Sequence, residues 1–161
     1  MPKTVWSEAP SEIHRVDTGF QLKVVDPAAI PGIDASKGTG TAILLNQSRM
    51  LDESQGKLFA DSTVGGTGSL VIVLQGIDTS GKGEIVTHVL AGMSPSGIIV
   101  HRFTAPTAKG QAPRHVIPAD HKWYARLAVQ QIVLMKLREV KLDWPRPNYG
   151  LKKELRRVVG A

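Results

Sequence analysis

The sequence contains no cysteine, so disulfide bonds and thiol chemistry are excluded. Its apolar runs are all far shorter than the roughly 20 residues that a membrane-spanning helix needs. Residues 1–12 have neither the apolar core nor the cleavage pattern of a secretory signal. We therefore expect a cytoplasmic chain with no membrane partner.

Motifs of two common kinds of active site are missing as well. No two of the 5 histidines lie four residues apart, the spacing that places two metal ligands on one helix face, and no cysteine can complete a zinc site. The sequence has no Gly-x-Ser-x-Gly, so a hydrolase triad has no support. No internal repeat divides the 161 residues, which are enough for one domain with a core of its own.

The charge balance is basic, with a formal net charge of +6 at pH 7. More than half of the Lys and Arg residues lie at or after Lys109. This distribution favours polyanionic partners such as nucleotides, polyphosphate or nucleic acid. A solvated basic surface explains the same pattern equally well.

A glycine-rich loop is the most informative stretch of the chain. Residues 70–74 are all apolar and rich in β-branched side chains, which predicts a strand buried on both faces. Apolar residues at helical spacing follow from Ile85 onwards. The intervening Gly76-x4-Gly81-Lys82 has the spacing of a phosphate-binding loop, in which backbone N–H groups and a helix N-terminus cradle an anion. Lys82 adds a mobile full charge that can reach the phosphates.

The loop departs from the usual pattern at two positions. Gly83 stands where a Ser or Thr commonly binds Mg²⁺, and Asp78 adds a carboxylate inside the loop. A carboxylate beside bound phosphates needs a cation between them, so we predict that Asp78 binds Mg²⁺ or handles a proton. In the alternative interpretation, Asp78 and Ser80 are ordinary turn formers and Gly81 is a plain helix entry.

Several stretches together resemble the family-2 polyphosphate kinases, P-loop enzymes that move phosphoryl groups between inorganic polyphosphate and nucleotides. The resemblance is carried by Leu-Gln-Gly-x-Asp-x-x-Gly-Lys at 74–82 and by five further short matches, namely His88-Val89, Pro95-x-Gly97, Phe103, Pro106-Thr107 and Ile117-Pro118-Ala119-Asp120-x-Lys122-Trp123-Tyr124. It implies an α/β fold, a P-loop kinase-like three-layer arrangement with a parallel sheet. It also implies Mg²⁺ as cofactor and, as partners, inorganic polyphosphate and a nucleotide (ADP, GDP or AMP) rather than nucleic acid.

The resemblance also assigns roles to individual residues. It implies that phosphate is held by Gly76, Ser80, Gly81, Lys82 and Gly83. Asp78 and Lys82 would be catalytic, with Asp78 also holding the metal ion. Lys122 and Arg126, on a helix that follows the nucleotide loop in the family, would contact polyphosphate or nucleotide. The pattern alone favours an amphipathic helix start for these two residues, with Lys122 in water.

One part of the family's pattern is missing. Pro106-Thr107-Ala108 is followed almost at once by Pro118-Ala119-Asp120, and no Arg-Ser-x-Tyr occurs anywhere in the sequence. We therefore predict an internal deletion near 109–115, a truncated sheet, and little or no turnover by this chain on its own. A binding remnant without catalysis and a partner of a full-length relative are the alternatives, and nucleic-acid binding through the basic C-terminal part is a weaker one.

The pattern of turns and periodicity also predicts the domain organisation. We predict that residues 1–40 form an irregular N-terminal arm and that residues 41–161 form a single P-loop kinase-like domain. Within that domain we expect helices near 41–60, 121–142 and 149–159 and a second strand at 98–100. Because a shortened fold leaves apolar surfaces uncovered, it can depend on a second chain, including a second copy of itself.

Overall fold

The computed structural model describes residues 5–102, 114–146 and 150–160, apart from the side chains of Asp78 and residues 151–153. Its α-helices are α1 (Pro10–Ile13), α2 (Lys37–Thr63), α3 (Lys82–Leu90), α4 (Lys122–Glu139) and α5 (Leu151–Val159). Three short 3-10 turns lie at Leu22–Val24, Asp78–Ser80 and Pro95–Gly97. The three helices expected from periodicity are present with shifted ends. No helix in these ranges is long and apolar enough to cross a bilayer.

The fold is organised around the packing of α2 against α4. Helix α2 begins after Ser36, whose hydroxyl accepts a hydrogen bond from the Thr39 backbone N–H at 3.3 Å. Near this end, Gly40 is buried against Trp123, and an added Cβ at Gly40 would lie 2.5 Å from the indole ring. Glycine is therefore required at this helix crossing. Further along, the Gln130 side-chain amide of α4 donates to the Leu44 carbonyl oxygen of α2 at 3.1 Å.

Two apolar clusters form the core, and α4 contributes to both. One cluster joins α2, α3 and α4, with the buried members Leu51, Val89, Val129, Val133, Leu134 and Leu137. The other joins the N-terminal arm to α4, with the buried members Trp6, Ile33, Tyr124, Leu127 and Ala128. Burial of these side chains is the main source of stability for a chain of this size.

A buried polar network fixes the N-terminal arm to α4. The Tyr124 hydroxyl donates to the Pro31 carbonyl oxygen at 2.6 Å and lies 2.9 Å from His14 Nε2. On the other side of the ring, His14 Nδ1 lies 3.1 Å from the Val116 carbonyl oxygen, so both ring nitrogens of His14 have a polar neighbour. Burial raises the pKa of the Tyr124 hydroxyl. These contacts make the N-terminal arm part of the core. The division into an arm at 1–40 and a domain at 41–161 remains a prediction.

The prediction of a parallel sheet is wrong for the part of the chain that the structure describes. No β-strand forms there, and the only bridges are the isolated antiparallel pairs Trp6–Ile33 and Arg15–His115. Residues 70–74 and 98–100 have no regular structure, and Val71, Val73 and Ile99 are exposed by 79%, 80% and 84%. An apolar run forms a buried strand only if a neighbouring strand pairs with its backbone and packed layers cover its side chains. Neither condition is met, so the α/β three-layer assignment fails.

Three of the sequence predictions lie outside the described residues. Phe103 and Pro106-Thr107, which contributed to the family resemblance, lie there. Residues 109–113 of the predicted deletion near 109–115 lie in the same range.

Acidification should destabilise the fold through His14. Burial lowers the pKa of His14, aided by the neighbouring charge of His115, although the hydrogen bond to Val116 opposes the shift. The unfolded chain then binds the proton more readily, so stability rises with pH and is lost as pH falls from the ordinary histidine value of 6.5 towards the lower folded value. His115, whose pKa burial also lowers, acts in the same direction.

We therefore expect the thermal midpoint to fall between pH 7.5 and 5.5, and to fall less steeply in His14→Gln. His88→Gln, which changes an exposed histidine on α3, serves as the matched control and should keep the wild-type slope. Thermal unfolding followed by circular dichroism at a series of pH values measures both slopes. Equal slopes in wild type and His14→Gln would contradict this role.

Candidate phosphate-binding site

The glycine loop forms a tight turn that leads directly into α3. A 3-10 turn at Asp78–Ser80 is followed by Gly81, whose φ of 80° lies in the left-handed region. Glycine adopts this conformation without the strain that a side chain would bring. From Gly81 the chain enters α3, and the Gly81 carbonyl oxygen accepts the first helical bond from the Ile85 N–H at 3.0 Å. The predicted loop-to-helix transition is therefore present.

Gly76 allows a close approach within the loop. An added Cβ at Gly76 would lie 2.5 Å from Ser80 Oγ, so a side chain at position 76 would displace the serine. The Ser80 Oγ atom is buried and has no hydrogen-bond partner among the described residues. A buried hydroxyl of this kind is an available donor or acceptor for a ligand atom.

The side chain of Lys82 folds back over the loop. Its ammonium donates to the carbonyl oxygens of Gly76 at 2.6 Å and Ile77 at 2.8 Å. These contacts hold the cation at the loop, where it can exchange neutral carbonyl partners for anionic phosphate oxygens. Charge-assisted hydrogen bonds to phosphate are stronger than those to neutral carbonyls.

An ion-pair cluster lies beside the loop. Glu84, in the first turn of α3, accepts a hydrogen bond from Arg126 Nη2 at 2.7 Å through one oxygen. Its other oxygen accepts from Lys122 Nζ at 3.2 Å. The Arg126 guanidinium and then the Lys122 ammonium hold the pKa of the Glu84 carboxyl below its ordinary value. Glu84, which follows the glycine loop in the first turn of α3, therefore links this segment to the start of α4.

A small crevice between α3 and α4 contains most of these groups. It is lined by Ser80, Gly81, Glu84, Ile85, Ala119, Lys122, Ala125 and Arg126. Two of its polar atoms, Ser80 Oγ and Arg126 Nε, are buried and have no hydrogen-bond partner within the described ranges. A hydroxyl, a guanidinium N–H and a neighbouring ammonium form a donor set that suits an anion.

The structure brings the predicted site residues together to different degrees. Ser80 and Gly81 line the crevice together with Lys122 and Arg126, while Lys82 lies over the loop carbonyls. Gly83 faces open space, since an added Cβ there would meet nothing within 4 Å. The side chain of Asp78 lies outside the described part, so its roles as catalyst and metal ligand remain predictions.

Sequence reasoning did not identify Glu84 as a site residue. Its partners lie 38 and 42 positions further along the chain, so no local spacing pointed to them. A carboxylate in the first turn of a helix is ordinary, because it faces the positive end of the helix dipole. Only the tertiary arrangement distinguishes Glu84 from such a residue.

Known proteins resemble this chain in sequence and in structure. No protein-family model matches the chain. An AMP/ADP-polyphosphate phosphotransferase of Meiothermus ruber is 32% identical over 91 residues, which cover 56% of this chain and 33% of that protein. An uncharacterised protein in the chlN 3′ region of Leptolyngbya boryana is 41% identical over 49 residues, 30% of this chain and 36% of that protein. The matches thus span about a third of the length of these relatives.

The structural comparison covers nearly the whole chain. The crystal structure of polyphosphate kinase 2 from Arthrobacter aurescens matches with a TM-score of 0.85 and 25% sequence identity, over 97% of this chain and 99% of that one. Both relatives with assigned activities are thus enzymes that act on polyphosphate. The predicted resemblance to the family-2 polyphosphate kinases is confirmed, since the chain is similar to a polyphosphate kinase 2 in structure and to a polyphosphate phosphotransferase in sequence.

Proposed function

We propose that this chain binds the phosphates of inorganic polyphosphate and of a nucleoside di- or monophosphate at the 76–83 loop, and transfers a phosphoryl group between them. The observation that carries the proposal is that Lys122 and Arg126 form ion pairs with Glu84, which directly follows the loop in the first turn of α3. Residues that lie 38 and 42 positions apart in sequence thus line one crevice, where two buried donors have no partner among the described residues. The Meiothermus ruber relative, an AMP/ADP-polyphosphate phosphotransferase, supports polyphosphate and adenine nucleotides as the substrate class.

The proposed reaction exchanges one phosphorus–oxygen bond for another. The bond between the terminal phosphorus of polyphosphate and its bridging oxygen breaks, and a bond forms from that phosphorus to a terminal oxygen of the nucleotide. Charge spreads over the transferred group and the leaving oxygen during this step. Lys82 would leave the carbonyls of Gly76 and Ile77 to offset that charge, while the loop N–H groups orient the phosphates.

Mg²⁺ is the cofactor that we propose, and it would neutralise charge across the phosphate oxygens. Among the residues described, no three His, Asp or Glu side chains form a group able to hold a metal ion. The Glu84 carboxylate is already paired with two cations. The ion would therefore enter bound to the phosphates, with Asp78 as the proposed protein ligand, and the roles of Lys82, Lys122 and Arg126 do not depend on it.

A second candidate is phosphate binding without turnover. It is favoured by the engagement of Lys82 with loop carbonyls and by the lack of an acidic cluster in the described part of the chain. Such a chain would hold polyphosphate or a nucleotide, alone or together with a second copy or a full-length relative. The two candidates share a binding site and differ only in product formation.

The two candidates are separated by measuring transfer and binding on the same preparation. The chain is incubated with polyphosphate, Mg²⁺ and ADP, GDP or AMP, and the phosphorylated nucleotide is quantified by chromatography. Calorimetric titration with tripolyphosphate and with ADP gives the affinities in parallel. Product that requires both substrates supports transfer, and saturable binding without product supports the second candidate. The absence of binding together with the absence of product would contradict both candidates.

A further inference from the structure

Glu84 occupies the position that an anionic ligand of this crevice would take. A single carboxylate accepts hydrogen bonds from Arg126 at 2.7 Å and from Lys122 at 3.2 Å, one through each oxygen. A phosphate group offers the same pair of cations the same kind of oxygen acceptors. The carboxylate and a phosphate therefore compete for the same donors.

Two polar groups beside the ion pairs form no hydrogen bond with Glu84. Ser80 Oγ and Arg126 Nε remain buried without a hydrogen-bond partner among the described residues, and both line the same crevice. A carboxylate has only two oxygens, and both are already engaged. A tetrahedral phosphate carries more acceptor oxygens, so it has further acceptors to offer to these donors.

The ion pairs are also exposed enough to be exchanged. The side chains of Glu84 and Lys122 are 45% and 52% exposed, and that of Arg126 is 22% exposed. Ion pairs in such partly solvated positions are weak, so a multivalent anion can displace the carboxylate. Glu84 itself is anchored on α3 and would stay near the bound phosphate. Its negative charge would then repel the phosphate.

We infer that Glu84 is an internal counter-ion that occupies the phosphate subsite formed by Lys122 and Arg126, and that it lowers the affinity of the chain for condensed phosphates. The inference rests on the proposed function, because it concerns the same loop. The ligand chemistry is a chain of two or more phosphoryl groups, supplied by polyphosphate or by a nucleotide. The Glu84 carboxylate thus determines how much negative charge a phosphate ligand needs to displace it from Lys122 and Arg126.

The test is the dissociation constant for tripolyphosphate, and separately for ADP, in wild type and Glu84→Gln. Glutamine keeps the size of the side chain and removes its charge. We expect Glu84→Gln to bind tripolyphosphate about five- to tenfold more tightly, as the release of two partly exposed ion pairs allows. The matched control is Glu139→Gln, which removes a carboxylate paired with Lys136 on α4 and should change the affinity less than about twofold.

A double-mutant cycle assigns any gain to the two cations. In the Lys122→Gln/Arg126→Gln background, adding Glu84→Gln should no longer tighten binding. A larger gain for tripolyphosphate than for ADP would identify polyphosphate as the anion that enters the subsite, and the reverse would identify the nucleotide. A gain in affinity of similar size in the Lys122→Gln/Arg126→Gln background would contradict the inference.

Failure of this inference can be distinguished from failure of the proposed function. If Glu84→Gln binds no more tightly than wild type while Lys82→Ala binds more weakly, the loop binds phosphate and the role of Glu84 is wrong. A lower thermal midpoint of Glu84→Gln with unchanged affinity would mean that Glu84 only bridges α3 and α4. If neither wild type nor Glu84→Gln binds tripolyphosphate, both proposals are overturned.

Discussion

Replacing Lys82 with alanine should abolish measurable phosphoryl transfer and weaken tripolyphosphate binding. Lys82 is the cation held at the glycine loop, where its ammonium contacts two backbone carbonyl oxygens. Loss of one group that stabilises developing charge typically lowers turnover by about 10²- to 10³-fold. Loss of a charged hydrogen-bond donor lowers affinity by roughly 1.5–3 kcal/mol, or about ten- to a hundredfold.

The second consequence of this substitution is local to the loop. The carbonyls of Gly76 and Ile77 lose their donor, but water can replace it because the contacts are exposed. We therefore expect the thermal midpoint of Lys82→Ala to stay close to that of wild type. A loss of binding without a loss of stability separates a ligand role from a structural one.

Lys37→Ala is the matched control for this experiment. Lys37 is an exposed lysine in the first turn of α2, so its removal changes the net charge equally. Calorimetry with tripolyphosphate and a coupled assay for nucleoside triphosphate measure both effects. Equal affinities of Lys82→Ala and Lys37→Ala would mean that only the general positive charge attracts phosphate, and would refute the loop as the binding site.

The local parts of this fold follow from the sequence. Apolar spacing predicts the positions of α2 and α4, although α2 begins at Lys37, after the capping Ser36, in a stretch that was predicted to belong to the irregular arm. The loop-to-helix transition at Gly81 and Lys82 is likewise local, because glycine and the helix N-terminus act within a few residues. These features depend on near neighbours in the chain, which is why periodicity and spacing identify them.

The sheet could not be judged from residues 70–74 alone. Five apolar residues bounded by polar or glycine residues are compatible with a buried strand, but strand formation depends on pairing with a distant segment. The exposed Val71 and Val73 demonstrate that such pairing is missing in the described part of the chain. The same sequence pattern in a chain with a neighbouring strand would be expected to behave differently.

The sequence pointed to the loop of the candidate site but not to the ion pairs beside it. The glycine spacing identified Lys82, and the family resemblance added Lys122 and Arg126. The pairing of both cations with Glu84 depends on how α3 packs against α4, which no local pattern encodes. Tertiary packing therefore decides whether these cations are free to meet a ligand.

Leu51→Ala should be the most destabilising of the substitutions considered, because Leu51 lies at the junction of the three helices that support the site. Its side chain is fully buried, with 0% exposure, in the cluster that contains Val89 of α3 and Val133 of α4. Removal of a buried leucine side chain leaves a cavity and lowers the free energy of unfolding by about 2–5 kcal/mol. For a chain of this size that corresponds to a fall in the thermal midpoint of roughly 5–15 °C.

Leu45→Ala on the same helix is the matched control, since Leu45 is 70% exposed and its truncation opens no cavity. Thermal and urea unfolding of both variants measure the difference, and Leu45→Ala should lie within about 0.5 kcal/mol of wild type. Well below its midpoint, Leu51→Ala should still bind tripolyphosphate, because Lys82 and the loop keep their local geometry. If Leu51→Ala instead lost binding at temperatures where it remains folded, then the position of α3 against α2 and α4, and not the glycine loop alone, would determine the phosphate site.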